Sequence, residues 1–130
     1  MRDLIVRLDV IDDGAASALR VIAHFDSLVS THASVGALLR ATATLTGCAV
    51  GYQDVATGRA RRIAEDGAEA SAEIRNPRGD WPVAHVDEDP DRVVWLERSG
   101  PAGPLDDLIL ERCAQALART QTAPAPLAAG

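Results

Sequence analysis

The sequence predicts an α+β domain in which N- and C-terminal helices pack on one face of an antiparallel sheet. Three observations lead to it. Apolar residues recur at helical spacing in the first part of the chain, up to Gly47. From Cys48 the period changes to two, as in half-buried strands. The segment 92–117 then indicates a strand, a Pro/Gly turn and a long amphipathic helix. This order is typical of a domain that gathers its helices on one side of its strands.

The segment 3–11 fits two patterns. Its apolar residues match a helix at positions 4, 5, 8 and 11, and a strand at positions 6, 8 and 10. Both alternatives stay open, and we favour a short amphipathic helix. Asp12 or Asp13 is placed to cap a separate second helix over roughly 14–31. One face of that helix is apolar, at Ala18, Val21, Ile22, Phe25, Leu28 and Val29.

Two more helices follow from capping residues and apolar stripes. Ser34 is placed to begin a third helix and Gly47 to end it. Its predicted apolar stripe consists of Leu38, Leu39, Thr42 and Leu45. The closing helix covers 105–118, with Asp106 and Asp107 favourable at its positive end. Ile109 lies in the middle of its apolar stripe and is therefore a predicted core contact.

The strand-like segments lie between these helices. CAVGYQ and RARRIA predict a hairpin around a turn that contains Asp54 and Gly58. EDGAEAS is polar and predicts a loop, whereas AEIRN is a candidate short strand. WPVAHV predicts an edge strand because of its proline. An acidic turn then precedes the strand RVVWLE.

Composition limits the classes of function. The 130 residues suit one domain, over 1–119, with an Ala/Pro-rich linker or tail over 120–130. The net charge of −6 and the pI near 4.9 argue against direct contact with nucleic acid or anionic membrane by this domain. Cys48 and Cys113 lie in apolar contexts and predict buried thiols of a reduced compartment. Without a signal peptide or a long apolar run, the expected location is cytoplasmic.

Residues with catalytic or ligand chemistry are sparse. No nucleophile–base pair, phosphate loop or metal signature stands out, so we expect neither an enzyme nor a cofactor nor a metal site. His24 and His32 fit a solvated helix face and a helix end. Arg59, Arg61 and Arg62 fit a solvated hairpin with acidic neighbours. The acidic cluster of Asp87, Glu88, Asp89 and Asp91 lacks the spacing of a calcium loop and fits an exposed turn.

Three segments together suggest a family. ALRVIAHFDSLV, LLRATATLTGCAVGYQD and RVVWLERSGPAGPLDDLILER resemble the GAF-type N-terminal domain of actinobacterial PucR/CdaR-like helix-turn-helix transcription regulators. The resemblance implies an antiparallel sheet with terminal helices on one face and a DNA-binding domain downstream. It also implies a regulatory sensor or dimerisation role. Residues 65–91 are few for the helices and loops that usually cap a ligand in such domains.

Four side chains are candidates for binding an unidentified small molecule. If Val94 and Leu96 face the helices, Trp95 faces the other side of the sheet, where a GAF domain keeps its pocket. Tyr52, Trp81 and His85 complete this candidate set. The alternatives are a core role for Trp95 and a sheet-edge role for Trp81. A cavity beside Trp95 and Tyr52 would favour a sensor, whereas a filled sheet face would favour a purely structural homodimerisation module with a closed pocket.

The expected partner is a second copy of the chain, bound through the terminal helices. The closing helix carries an apolar surface broader than one sheet face needs, at Leu105, Ile109, Leu110, Cys113, Ala116 and Leu117. The segment 3–11 adds apolar residues with no obvious place on a sheet already covered by helices 14–31 and 105–118. A two-fold helical interface would bury both surfaces. The competing alternative is a monomer whose first helix folds back.

Overall fold

A computed structural model describes residues 2–121, with the side chains of 14–120 except Ser71. Within these residues the fold is α+β, with three helices and a five-stranded antiparallel sheet, as the sequence predicts. The helices are α1 (Arg2–Ser30), α2 (Val35–Thr46) and α3 (Asp106–Gln121). The strands are β1 (Ala49–Asp54), β2 (Arg59–Ile63), β3 (Glu69–Ser71), β4 (Val83–His85) and β5 (Arg92–Glu97). The sheet order is β3-β2-β1-β5-β4.

The ends of α2 follow from local sequence, as predicted. The Ser34 hydroxyl accepts a hydrogen bond from the Ala37 N–H at 3.1 Å, which satisfies a free donor of the first turn. Gly47 takes the left-handed conformation, with φ of 72°, and its N–H donates to the Ala43 carbonyl at 2.8 Å. A glycine adopts this conformation without steric cost. Leu38 and Leu39 are fully buried, whereas the predicted stripe residue Leu45 is 40% exposed.

The first helix differs from the prediction. The expected break at Asp12 or Asp13 does not occur, because α1 runs without interruption from Arg2 to Ser30. An aspartate caps a helix only where the chain before it leaves helical geometry, and here the backbone before residue 12 is already helical. The strand alternative for the segment 3–11 is wrong for the same reason.

The strand boundaries differ from the prediction in the middle of the chain. The third strand is Glu69–Ser71, inside the segment expected to be a loop, and the segment 72–76 expected to be a strand is irregular. Pairing with β2 sets the position of β3, since Arg61 lies opposite Ser71 and Ile63 opposite Glu69. The hairpin of β1 and β2 and the strand β5 lie where the sequence predicts them.

The sheet has two faces of different character. Val50, Ile63, Val94 and Leu96 are buried in the core that the helices share. Their neighbours along the strands, among them Gly51, Gln53 and Trp95, point to the other face because side chains alternate. The register confirms this, since Gly51 lies opposite Trp95 and Tyr52 opposite Val94.

The central helix is α3, which contacts α1, α2, β4 and β5. Its apolar surface is broad because it meets helices as well as the sheet, so this breadth does not by itself require a second copy. Ile109 is 3% exposed and Leu117 fully buried, which confirms the predicted core role of Ile109. Helices 14–31 and 105–118 do contact each other. Their placement side by side on one sheet face stays a prediction.

Two of the helices run in the same direction. Ser17 and Val21 of α1 border the same cavity as Leu105 and Ile109. Further along, Phe25 and Val29 border a second cavity together with Ala116 and Arg119 of α3. Residue numbers therefore rise together along both helices. Residues 2–13 precede this contact and, at 1.5 Å per residue, add about 18 Å of helix. None of the described helices is both long enough and apolar enough to span a membrane.

Candidate functional site

The sheet face away from the core cluster is closed. The Trp95 indole lies across Gly51, where even a Cβ atom would overlap the ring, and Trp95 is only 3% exposed. The irregular segment 72–82 reaches this face. Its Arg75 N–H donates to the Gln53 side-chain oxygen at 3.0 Å. The Arg75 guanidinium also donates to Glu97 at 3.4 Å. The face where a ligand was expected is therefore filled by protein.

Glu97 is the electrostatic centre of this face. Arg62 Nε donates to both of its carboxylate oxygens at 3.0 Å, and the Trp95 indole N–H donates at 3.4 Å. Burial of the carboxylate acts to raise its pKa. The hydrogen bonds from Arg62 and Trp95 and the positive charges of Arg62 and Arg75 lower it, and together they outweigh burial. The pKa of Glu97 consequently lies below its ordinary value of 4.5. In turn, the hydrogen bond with the Glu97 carboxylate raises the pKa of the Arg62 guanidinium.

The four predicted ligand residues do not come together. Tyr52 is 4% exposed within the core cluster, and its hydroxyl accepts a hydrogen bond from Arg92 Nε at 3.4 Å. Trp95 is on the opposite face of the sheet. Trp81 is half-buried and holds the Arg78 guanidinium 5.7 Å from its ring centroid. His85 is exposed on the edge strand β4. Tyr52 and Trp95 therefore lie on opposite faces of the sheet, and ligand binding by any of the four residues stays a prediction.

An apolar groove lies instead among the three helices. It measures about 990 Å³, and its apolar lining includes Val21, Leu45, Leu105 and Ile109. Leu45 on its wall is 40% exposed. Leu19, on the neighbouring part of α1, is 64% exposed, the highest value among the large apolar side chains described. Helical spacing predicts Leu45 in the core stripe, but spacing alone cannot show that no other element covers this turn of α2.

A partly buried ion pair lies at one end of this helical groove. Arg98 Nε donates to Asp106 Oδ2 at 3.0 Å, and Arg98 Nη2 donates to Oδ1 at 2.7 Å. Arg98 also donates to the Thr46 carbonyl at 2.9 Å, which joins the end of α2 to the start of α3. The hydrogen bond and charge of Asp106 raise the pKa of Arg98. Helix-dipole reasoning found Asp106 but not this partner, which is eight residues away across a turn.

A second groove lies between the edge strand β4 and α3. It measures about 750 Å³. Its floor includes Leu110 and Ala114 of α3, and acidic side chains surround it: Asp87, Glu88, Asp107 and Glu111. From sequence, Asp87 and Glu88 are predicted only as part of an exposed turn. Nothing in the local pattern showed that α3 would bring two more carboxylates to the same groove.

The two cysteines are free and buried. Burial raises the pKa of the Cys113 thiol to about 12, although a hydrogen bond with Thr42 acts in the opposite direction. The thiol therefore stays protonated and unreactive at neutral pH. Cys48 is also a free, buried thiol. Among the described residues no group of three histidine, cysteine or acidic side chains could hold a metal ion.

Comparisons of the chain with protein-family models, with curated proteins and with solved structures found no match.

Proposed function

We propose that this chain is a regulatory homodimerisation module, a GAF-type domain of a PucR/CdaR-like transcription regulator whose two copies pair through their helices. The observation that carries the proposal is the apolar surface left exposed on the helical layer: Leu45 is 40% exposed on the wall of the groove of about 990 Å³, and Leu19 is 64% exposed on α1 outside that groove. A groove of this kind on a soluble protein commonly marks an interaction site.

The sequence pattern along α1 supports a second copy of the chain as the partner. Val21, Phe25 and Leu28 pack within their own domain. A different stripe recurs at helical spacing in the sequence, at Leu4, Leu8, Ile11, Ala15, Leu19 and Ile22. Its centre lies about 110° round the helix from the first stripe, at 100° per residue. We infer that the first stripe packs in its own domain and the second binds a partner, because two copies of the same stripe are self-complementary about a two-fold axis.

The filled sheet face supports dimerisation over ligand binding at the sheet. Trp95 occupies the space above Gly51, and residues 72–82 contribute Arg75 to the same face. Trp95 is itself only 3% exposed, so the described residues leave little room for a small molecule beside its ring. A module that works through its helices needs no such room, because the signal passes as a change in the relative pose of two helical layers.

The mass of the protein in solution tests the proposal. Sedimentation or light scattering at micromolar concentration should give a dimer for the unaltered chain. Leu19→Arg and Leu45→Arg each place a charge on the proposed interface and should give monomers. Val55→Arg is the matched control, because Val55 is 47% exposed in the turn between β1 and β2. It should leave the dimer intact.

A monomer mass for the unaltered chain contradicts the proposal. So does a dimer that survives both Leu19→Arg and Leu45→Arg. Loss of helical circular dichroism in a variant identifies misfolding, and a variant of that kind is replaced by the milder Leu19→Ser or Leu45→Ser.

The size of the helical groove favours a second candidate, a sensor that binds a small molecule between its helices. Its volume of about 990 Å³ lies at the upper end of typical ligand pockets, roughly 300–1,000 Å³. A ligand there would contact α1, α2 and α3 at once. Native mass spectrometry of the purified protein distinguishes the two: the sensor predicts a bound small molecule that Leu45→Arg removes, and the dimerisation module predicts two chains and no ligand.

A further inference from the structure

We propose that the groove between β4 and α3 binds an extended, basic peptide segment of another protein, which adds as a sixth strand to the outer edge of β4. This inference concerns a different surface from the proposed dimer interface. The dimer surface uses the α3 side chains Leu105 and Ile109, whereas this groove uses Leu110 and Ala114.

The outer edge of β4 has backbone groups without a strand partner among the described strands. This strand is at one end of the sheet order, so β5 is its only neighbour among the described strands. The Leu96 N–H donates to the Pro82 carbonyl at 3.0 Å. Hydrogen-bonded and non-hydrogen-bonded pairs alternate in an antiparallel ladder, so Ala84 also faces β5, and the backbone N–H groups of Val83 and His85 face outward. Such an edge is a template for an added strand.

A groove lies beside that edge of β4. α3 stands next to β4 and forms the opposite wall of a groove of about 750 Å³. Its floor is made by Leu110 and Ala114, with Ala118 further along. An added strand would direct alternate side chains towards this floor, since side chains alternate along a strand. The small size of the two alanines leaves room for aliphatic side chains of the peptide.

The lining of this groove is mostly negatively charged. Asp87 and Glu88 stand at the β4 side of the groove, and Asp107 and Glu111 at the α3 side. All four are exposed, and none forms an ion pair with another residue in the described part of the chain. Arg119, which has an interaction of its own, is the single cationic arginine or lysine of the lining. The groove therefore favours a peptide with arginine or lysine side chains, because complementary charge guides encounter and selects the partner.

The probe is an acetylated and amidated hexapeptide of alternating valine and arginine. Binding to the full chain is followed by fluorescence anisotropy of a labelled peptide, and hydrogen exchange of the Val83 and His85 amides is followed by NMR. We expect saturable binding below about 1 mM, with slower exchange at both amides. The same peptide with glutamate in place of arginine should not bind.

Variants separate the groove from general attraction to an acidic protein. Asp107→Lys combined with Glu111→Lys should weaken binding about tenfold or more, because both charges of the α3 wall are reversed. Glu73→Lys is the matched control, since Glu73 is exposed and outside the groove. It should leave the affinity within about twofold.

A peptide methylated on alternate backbone nitrogens tests strand addition itself. It keeps every side chain but cannot donate to the edge, and it should bind about tenfold or more weakly. Equal binding of the methylated peptide overturns strand addition. Three outcomes overturn the proposal that the groove binds a basic peptide. Glu73→Lys weakens binding as much as the double variant does, the glutamate peptide binds as well as the arginine peptide, or the arginine peptide does not bind at 1 mM. None of these outcomes depends on whether the chain is a dimer.

Discussion

At the scale of single residues, Gly51 determines where Trp95 lies. The indole covers the Gly51 backbone at a distance that leaves no space for a Cβ atom. A side chain at position 51 must therefore displace the ring or separate β1 from β5 locally. This close approach explains a glycine in the middle of a strand, where it otherwise weakens the sheet.

Gly51→Ala should lower the free energy of unfolding by about 1–3 kcal/mol through overpacking. Urea unfolding followed by circular dichroism measures the loss, and tryptophan emission should shift to longer wavelength as the ring becomes hydrated. Gly79→Ala is the control, because nothing lies near a Cβ at that position. It should stay within about 0.5 kcal/mol. Equal losses in the two variants would show that the Trp95 contact is unimportant.

Asp106 is the second residue with a clear individual role. Its carboxylate is 4% exposed and accepts from Arg98 and from the Gly103 N–H, the latter at 2.8 Å. Asp106→Ala leaves the partly buried Arg98 guanidinium without its carboxylate partner and should cost about 1–3 kcal/mol. Asp107→Ala, at the exposed neighbouring position, should cost less than about 0.5 kcal/mol. A thermal or urea denaturation series checks both, and similar small losses at the two positions would refute the role of the pair.

At the scale of elements, α3 is stabilised by packing on several sides. Ile109→Ala should destabilise the protein by about 2–5 kcal/mol, because the residue is 3% exposed in the common core. Glu111→Ala on the exposed side of the same helix is the control. Urea midpoints at neutral pH give the difference. A cost below about 0.5 kcal/mol for Ile109→Ala would mean that this face of α3 does not bear on the core.

Elements with local signals could be predicted from the sequence, and those set by distant pairing could not. The caps of α2, the hairpin of β1 and β2 and the strand β5 depend on residues within a few positions of each other. The position of β3 depends on its pairing with β2, which the segment 65–71 does not encode locally. The continuity of α1 was missed because Asp12 and Asp13 are good caps in isolation.

The candidate sites show the same division. Alternation along β5 correctly predicts that Trp95 and Val94 point to opposite faces. The register that puts Gly51, rather than Tyr52, opposite Trp95 is a property of two strands far apart in sequence. For this reason the sequence grouped Tyr52 with Trp95, and the structure separates them. The groove beside β4 could not be found earlier, because α3 supplies one of its walls.

At the scale of the whole molecule, Glu97 links stability to pH. It joins β5 to Arg62 of β2 and to Arg75 of the segment 72–82. Its pKa in the folded protein is lower than its ordinary value. A depressed carboxyl pKa contributes stability that is present above the unfolded-state pKa and is lost as pH falls through the folded-state value. The protein should therefore lose stability as the pH falls below about 5.

Glu97→Gln should remove this part of the pH dependence. The free energy of unfolding of the unaltered protein should exceed that of the variant at pH 7, and the difference should shrink as pH falls towards 3. Urea unfolding at a series of pH values measures it. Glu73→Gln, an exposed control, should track the unaltered protein throughout. A difference between Glu97→Gln and the unaltered protein that is independent of pH would contradict the ionic role of Glu97.

The sheet order also has a kinetic consequence. β1, β2 and β3 form one local meander, and β4 and β5 form one local pair. Backbone pairing joins the two between β1 and β5, where Asp54 lies opposite Arg92. The chain between these two residues, 55–91, includes β2, β3 and β4 and must close as one long loop for β1 and β5 to pair. Closing that loop costs chain entropy before the long-range contacts form, so we expect it to limit the folding rate. In stopped-flow refolding, Val94→Ala should then slow folding by a larger share of its equilibrium destabilisation than Ile63→Ala does, and the reverse order would place the slow step within the meander.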